Sequence, residues 1–157
     1  MLKFIKKRNY KLLILFVVLF TFGVTNVNAL YNPDSFYDAI SWKYSYQATY
    51  TNSYNCLGWA TGSMTWEWPS AWGEGTNLTV VNLYFKSKGY LERNTPSLSA
   101  TKIVGYGPSS NKIVHFSKVS LSKVSAKWGR LERFSHYSEL DPYYSNSVYG
   151  LARVYYI

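Results

Sequence analysis

Tyr54-Asn55-Cys56-Leu57-Gly58-Trp59-Ala60-Thr61-Gly62 holds the single cysteine of a 157-residue chain. The turn-forming run Thr51-Asn52-Ser53-Tyr54-Asn55 leads into it, and small residues then alternate with apolar ones. This pattern predicts a loop entering a buried helix that starts at Cys56 and runs to about Thr65. Leu57, Ala60 and Met64 fall at helical spacing, and Gly58 and Gly62 permit close approach of a neighbouring element. A thiol at a helix start lies near unpaired backbone N–H groups and the positive end of the helix dipole, a setting that lowers its pKa. The alternative is a small, inert, buried hydrophobe.

The first 29 residues read as a secretory signal peptide. Lys3, Lys6, Lys7, Arg8 and Lys11 form a basic start, Leu12 to Val24 an apolar run, and Val27-Asn28-Ala29 a cleavage site. The apolar run is short for a membrane span, so the expectation is cleavage after Ala29 rather than an uncleaved anchor. A secreted chain with one cysteine cannot form an internal disulfide, so packing must stabilise it. The 16 Tyr, 8 Phe and 6 Trp supply that packing. A free thiol in an exported protein also points to reactivity.

Five of the 17 Lys and Arg lie in the signal and all 8 Asp and Glu lie beyond it, so the formal charge falls from +9 to about +4 on processing. No dense basic cluster follows residue 30, which argues against nucleic acid as a partner. One cysteine and two separated histidines lack metal-ligand spacing, so no metal or other cofactor is expected. No stable membrane span remains after processing, and nothing in the sequence speaks to oligomeric state.

Residues 30–157 read as one α+β domain. Asp34 is placed to cap a short helix over 35–41, with Phe36, Tyr37 and Ile40 on one side. Trp66-Glu67-Trp68-Pro69 ends the Cys56 helix, and a Gly-rich loop carrying Trp72 follows. Asn77 caps a second helix to Ser87, with Leu78, Val81 and Phe85 on one face and Gly89 closing it. Beyond Pro96 the pattern changes to strands over 101–106, 112–119, 124–128 and 150–156. The alternation puts Ile113, His115, Ser117 and Val119 on one face. The connection 130–136 has no clear form, and Asp141-Pro142 breaks the chain. Helices first and an antiparallel meander second define the class.

A nucleophilic cysteine needs a base within hydrogen-bond reach and a group to orient that base. His115, mid-strand, is the candidate base, and a helix bearing Cys56 packed on a sheet bearing His115 would bring them together. His136 is the other imidazole in the chain. It either orients His115 or bonds backbone in the loop 137–148.

Asn55-Cys56-Leu57-Gly58-Trp59 resembles the nucleophile motif of NlpC/P60-type cell-wall endopeptidases, and Ile113-Val114-His115-Phe116 resembles their histidine strand. The order, Cys helix before His strand, is that of the papain-like superfamily. A nearer likeness is to a family of small uncharacterised bacterial domains. It rests on Asn55-Cys56 with Trp59-Ala60, Trp66-Glu67-Trp68-Pro69, His115, Lys127-Trp128-Gly129, His136 and Tyr149-Gly150. The resemblance implies a papain-like fold and a Cys56–His115 pair. At the third catalytic position it departs from the pattern, because Ala126 stands where papain-like enzymes carry Asn. His136 is the preferred substitute, since NlpC/P60-type sites resemble it in using a second histidine. Glu132 is the other candidate for orienting His115, but beside Arg130 and Arg133 it reads more readily as a surface charge.

Two functions remain open. One is a secreted thiol peptidase or amidase acting on a peptide or amide, peptidoglycan among them. Cys56 would be the nucleophile, His115 the base and His136 its positioning partner. Asn55, Trp59, Trp68 and Trp72 would line the substrate, with the Asn55 or Asn52 side chain as an oxyanion donor. The other is a non-catalytic secreted binding module or toxin-like factor on the same fold.

Overall fold

Seven short strands pair into one antiparallel sheet in a computed structural model that describes residues 30–157. The expected signal peptide, residues 1–29, lies outside the described residues. In chain order the elements are α1 (Asp34–Asp38), β1 (Ser45–Ala48), α2 (Cys56–Thr61), a 3-10 turn (Ser70–Trp72) and α3 (Leu78–Ser87). Then come β2 (Glu92–Arg93), β3 (Ile103–Gly107), β4 (His115–Ser120), β5 (Lys123–Lys127), β6 (Arg133–Ser135) and β7 (Leu151–Tyr156). The spatial order is β1-β6-β5-β4-β3-β7-β2. The class is α+β, as expected. No helix among the described residues is long and apolar enough to cross a membrane.

Period-two alternation sends side chains to two cores, one on each face of the sheet. Ile103, Phe116, Val154 and Tyr156 pack against Leu57 and Ala60 of α2 and Val81 and Phe85 of α3. Val104, Tyr106, Val119, Val124, Ala126 and Phe134 pack on the other face against Tyr37, Ile40, Trp128 and Tyr143. Three layers result: two helices, the sheet, and an aromatic cover built from α1 and the long β6–β7 connection. The second core is rich in rings, with Trp128, Tyr37, Tyr44 and Phe134 at centroid separations of 4.7–6.1 Å. Aromatic packing therefore fills the place that disulfides hold in many small exported domains.

Several boundaries differ from the sequence expectation. Helix α2 stops at Thr61, not Thr65, because Gly62 takes a left-handed conformation (φ +81°) and caps it. The chain then folds back, so that a Cβ on Gly58 would lie 1.9 Å from the Thr65 carbonyl oxygen. Pro33, not Asp34, precedes α1, and Phe36 is largely exposed. Ile113 does not share a face with His115. It bridges Thr76 ahead of β4 and enters the helix-side core, so the alternation begins at His115. The stretch 130–136 contains β6, a short strand one place in from the sheet edge. Strand β1, a stretch with no local strand signal, pairs with β6 at one edge.

Candidate active site

Asn55 sets the position of the thiol. Its backbone is extended, its Oδ1 accepts from the Gly58 N–H at 3.0 Å, and its Nδ2 donates to the Glu67 carbonyl at 2.8 Å. An N-cap of this kind stabilises a helix by about 1 kcal/mol. With both polar ends engaged, the Asn55 side chain is a structural cap and clamps the loop after α2. Cys56 follows as the first helical residue, with 5% of its surface exposed.

The backbone N–H groups of Phe116, Leu57 and Cys56 itself face the thiol and favour its ionised form, as does the Lys127 ammonium. Burial outweighs them and pushes the Cys56 pKa up to about 11. The expectation of a depressed pKa is therefore reversed in the resting structure. A six-residue helix contributes little dipole, and desolvation of a nearly sealed thiolate is the larger effect.

His115 is buried, but it alternates with Phe116 on β4, so its ring lies with Tyr106 and Tyr143 on the face opposite the Cys56 helix; the expected Cys56–His115 hydrogen bond is not present among the described residues. Tyr149 stacks on its ring at 3.8 Å, and Tyr143 meets it edge-on at 5.3 Å. Its Nε2 lies 3.0 Å from the Tyr143 hydroxyl, which lies 2.9 Å from His136 Nε2. His136 Nδ1 in turn lies 2.8 Å from the Lys43 carbonyl. The directions of these bonds follow from the far end. A carbonyl only accepts, so His136 Nδ1 donates to Lys43. Burial pushes the His136 pKa down to about 4, so the ring is neutral and its Nε2 accepts from the Tyr143 O–H. Tyr143, whose pKa burial raises well above the usual phenol value, keeps its proton and accepts from His115 Nε2–H. His115 is held neutral by burial and by the neighbouring His136. Its Nδ1 is then an unprotonated acceptor with no hydrogen-bond partner among the described residues.

The histidines are thus connected, but through Tyr143 rather than directly. Both sequence alternatives for His136 hold in part, since it bonds backbone at Lys43 and also reaches the His115 chain. Tyr143 was not singled out from sequence. It is one of 16 tyrosines and follows Asp141-Pro142, where the sequence reads only as a chain break.

The remaining candidates divide. Trp59 is half-buried on α2, with its indole Nε1 3.2 Å from both the carbonyl and hydroxyl oxygens of Ser125. Trp68 is half-buried, donates to the Gly73 carbonyl at 2.8 Å and meets Trp72 edge-on. Trp72 is packed in the helix-side core between Trp68 and Tyr84, so it leaves no face for a substrate. Asn52 lines a cavity of about 310 Å³ together with Tyr31, Tyr50, Arg130 and Leu131, and Cys56 is not part of that lining.

Glu132 is not a surface charge. It is 1% exposed and accepts from the Tyr31 N–H at 2.5 Å and the Tyr37 hydroxyl at 2.6 Å. These contacts tie the start of the described chain to the β5–β6 turn and leave Glu132 no role in orienting His115. Lys127 is buried as well and donates to the carbonyls of Gly129 (2.9 Å) and Leu131. Its pKa falls to about 8, because burial outweighs the favourable charges of Glu132 and Cys56. No cluster of His, Cys, Asp and Glu suited to a metal ion occurs among the described residues.

Residues 45–157 match a family described as Domain of unknown function (DUF7689). The chain belongs to this family. The matched region begins with β1 and takes in Cys56, His115, His136 and Tyr143, together with the whole sheet. Helix α1 and Lys43 precede it, so the carbonyl that fixes the tautomer chain comes from outside the family region. No curated protein and no solved structure matched the chain.

Proposed function

We propose that this domain is a secreted thiol hydrolase of papain-like architecture that cleaves an amide or peptide bond. The observation that carries the reading is the directed chain Lys43–His136–Tyr143–His115. It leaves one bare, buried imidazole nitrogen, His115 Nδ1, able to accept a proton. In the resting state both partners are neutral. The reaction requires His115 Nδ1, which makes no hydrogen bond to Cys56 at rest, to come within reach of the sulfur; as the sulfur then attacks a carbonyl carbon, its proton passes to His115 Nδ1, and Tyr143 holds the opposite Nε2–H of the imidazolium. The Cys56 and Phe116 N–H groups, which favour negative charge at the thiol, would meet the developing oxyanion. His115 then returns the proton to the leaving amine, and water, deprotonated by the same nitrogen, releases the acyl group from sulfur. Peptidoglycan peptides are among the substrates this chemistry would serve.

The near-complete burial of Cys56 favours a second reading, in which the thiol is structural and the domain is a binding module. Iodoacetamide alkylation of Cys56 across pH, in the wild type and in His115→Ala, separates the two. The hydrolase reading expects reaction at pH 7 faster than a thiol of pKa near 11 allows, with the excess lost in the variant. A rate that follows one titration near pH 11 and ignores His115 would leave the binding module in its place.

A further inference from the structure

The helix-side face of β5 and β6 carries an excess of positive charge: Glu132 supports the Lys127 ammonium, but no ion pair among the described residues engages Lys118, Arg130 or Arg133. Lys127 and Arg133 are register partners on these strands, a like-charge pairing that destabilises a sheet. The Arg133 guanidinium lies 4.1 Å from the centre of the Trp59 ring, and Lys118 Nζ lies over the same ring at 5.3 Å. Arg130 stacks on Trp66 close by in sequence, at 5.5 Å. The ion pairs found among the described residues, Lys88–Glu67 and Lys112–Glu74, involve none of these cations.

The platform is built, not incidental. Ser125 anchors the Trp59 indole through its Nε1. Arg133 Nη1 donates to the Tyr54 hydroxyl at 3.3 Å, which fixes the guanidinium plane. A guanidinium stacked on an indole keeps its other in-plane N–H edges free, and that fork matches an oxyanion. Lys118 adds a second positive head on the same ring.

The platform also lies beside the thiol. Trp59 is three residues beyond Cys56 on α2, a rise of about 4.5 Å. Ser125 is two residues from Lys127 on β5, about 7 Å along the strand. Lys127 is the ammonium whose charge the Cys56 sulfur feels. One substrate residue spans that separation.

We propose that Trp59, Lys118 and Arg133 form an oxyanion-binding subsite next to Cys56. The substrate would then carry an acidic group, such as a glutamate or aspartate carboxylate, about one residue from the bond attacked. This inference rests on the thiol hydrolase reading for its position, though anion binding itself needs no reactive thiol.

The test is titration of tryptophan fluorescence in the protein comprising residues 30–157, using an acetylated tetraglutamate peptide, its tetraglutamine counterpart and inorganic phosphate. Tetraglutamate should saturate and tetraglutamine should not. A Lys118→Gln/Arg133→Gln double variant should bind tetraglutamate at least about tenfold more weakly. Lys112→Gln, which alters an exposed lysine elsewhere, should leave binding unchanged. If the double variant does not fold, Lys118→Gln alone carries the comparison, because that side chain is only half-buried. Competition by phosphate with the same residue dependence marks a general oxyanion site, and its absence marks a carboxylate site. No saturable binding, or equal sensitivity to Lys112→Gln, overturns the proposal. Binding that persists while alkylation ignores His115→Ala retains the subsite and discards the hydrolase. His115-dependent alkylation without anion binding does the reverse.

Discussion

The Lys43 carbonyl accepts a hydrogen bond from His136 at 2.8 Å, and this bond sets the tautomer of His115, two groups further along. A backbone acceptor cannot reverse its role. Each partner after it therefore donates in turn, and the one bare nitrogen left over is His115 Nδ1. The site is oriented by a main-chain atom that no side-chain motif reveals.

Tyr143 is the joint in that chain. Tyr143→Phe keeps the ring and removes the hydroxyl, leaving two buried imidazole nitrogens without a partner. We expect a loss of about 2–4 kcal/mol of stability, since each buried group left unsatisfied costs about 1–3 kcal/mol. The His115-dependent part of Cys56 alkylation should fall as well. Urea unfolding and alkylation rates, compared with wild type, check both. Unchanged stability would mean that the hydroxyl does not bridge the histidines.

Acid should weaken the fold before it reaches the carboxylates. His136 has a folded pKa of about 4 against an ordinary 6.5, and that of His115 is lowered too. A depressed histidine stabilises the fold fully above the unfolded value, and this stability is lost as pH falls towards the folded value. His136 alone corresponds to roughly 3 kcal/mol between pH 6.5 and pH 4. Urea midpoints measured at half-unit steps should decline through that window. A flat profile down to pH 4.5 would show that the imidazoles titrate normally.

Glu132→Gln tests the buried carboxylate. The substitution keeps the shape but weakens two charge-assisted bonds, from Tyr31 and Tyr37, and removes the negative charge that supports the Lys127 ammonium. A destabilisation of about 2–4 kcal/mol is expected. If Glu132 were the surface charge its arginine neighbours suggest, the change would stay within about 0.5 kcal/mol.

Gly58→Ala should destabilise, although alanine is the better helix former by about 1 kcal/mol. The added methyl would meet the Thr65 carbonyl oxygen, which is backbone and cannot step aside without moving the loop. A fall in Tm with a loss of about 1–3 kcal/mol is expected from overpacking. A rise in Tm would show that the loop does not close over α2.

Sequence reading located Cys56 at a helix start, the α3 cap at Asn77 and the four longer strands, because caps and alternation are local signals. The short strands β1, β2 and β6 escaped it. Each has four residues or fewer, and pairing across the sheet rather than local pattern holds them in place. Glu132 and Lys127 were legible as charges but not as buried ones, since burial depends on what the rest of the chain lays over them. The site was half legible. The two histidines and the cysteine stand out by rarity, whereas a tyrosine among 16 does not. The direction of the thiol's pKa shift was misread because dipole and N–H contacts can be anticipated from the helix, and desolvation cannot.

Strand β7, at the end of the chain, lies inside the sheet between β3 and β2. The first strand, β1, waits on β6 for its partner. A polypeptide delivered amino end first therefore cannot close either flank of this sheet early. Until residues 151–156 arrive, β3 has an unpaired edge and the helix-side core lacks Val154 and Tyr156. Such pairings between distant parts of a chain form slowly. A sheet that closes only with β7 therefore stays open, and its helix-side core incomplete, until residues 151–156 are in place.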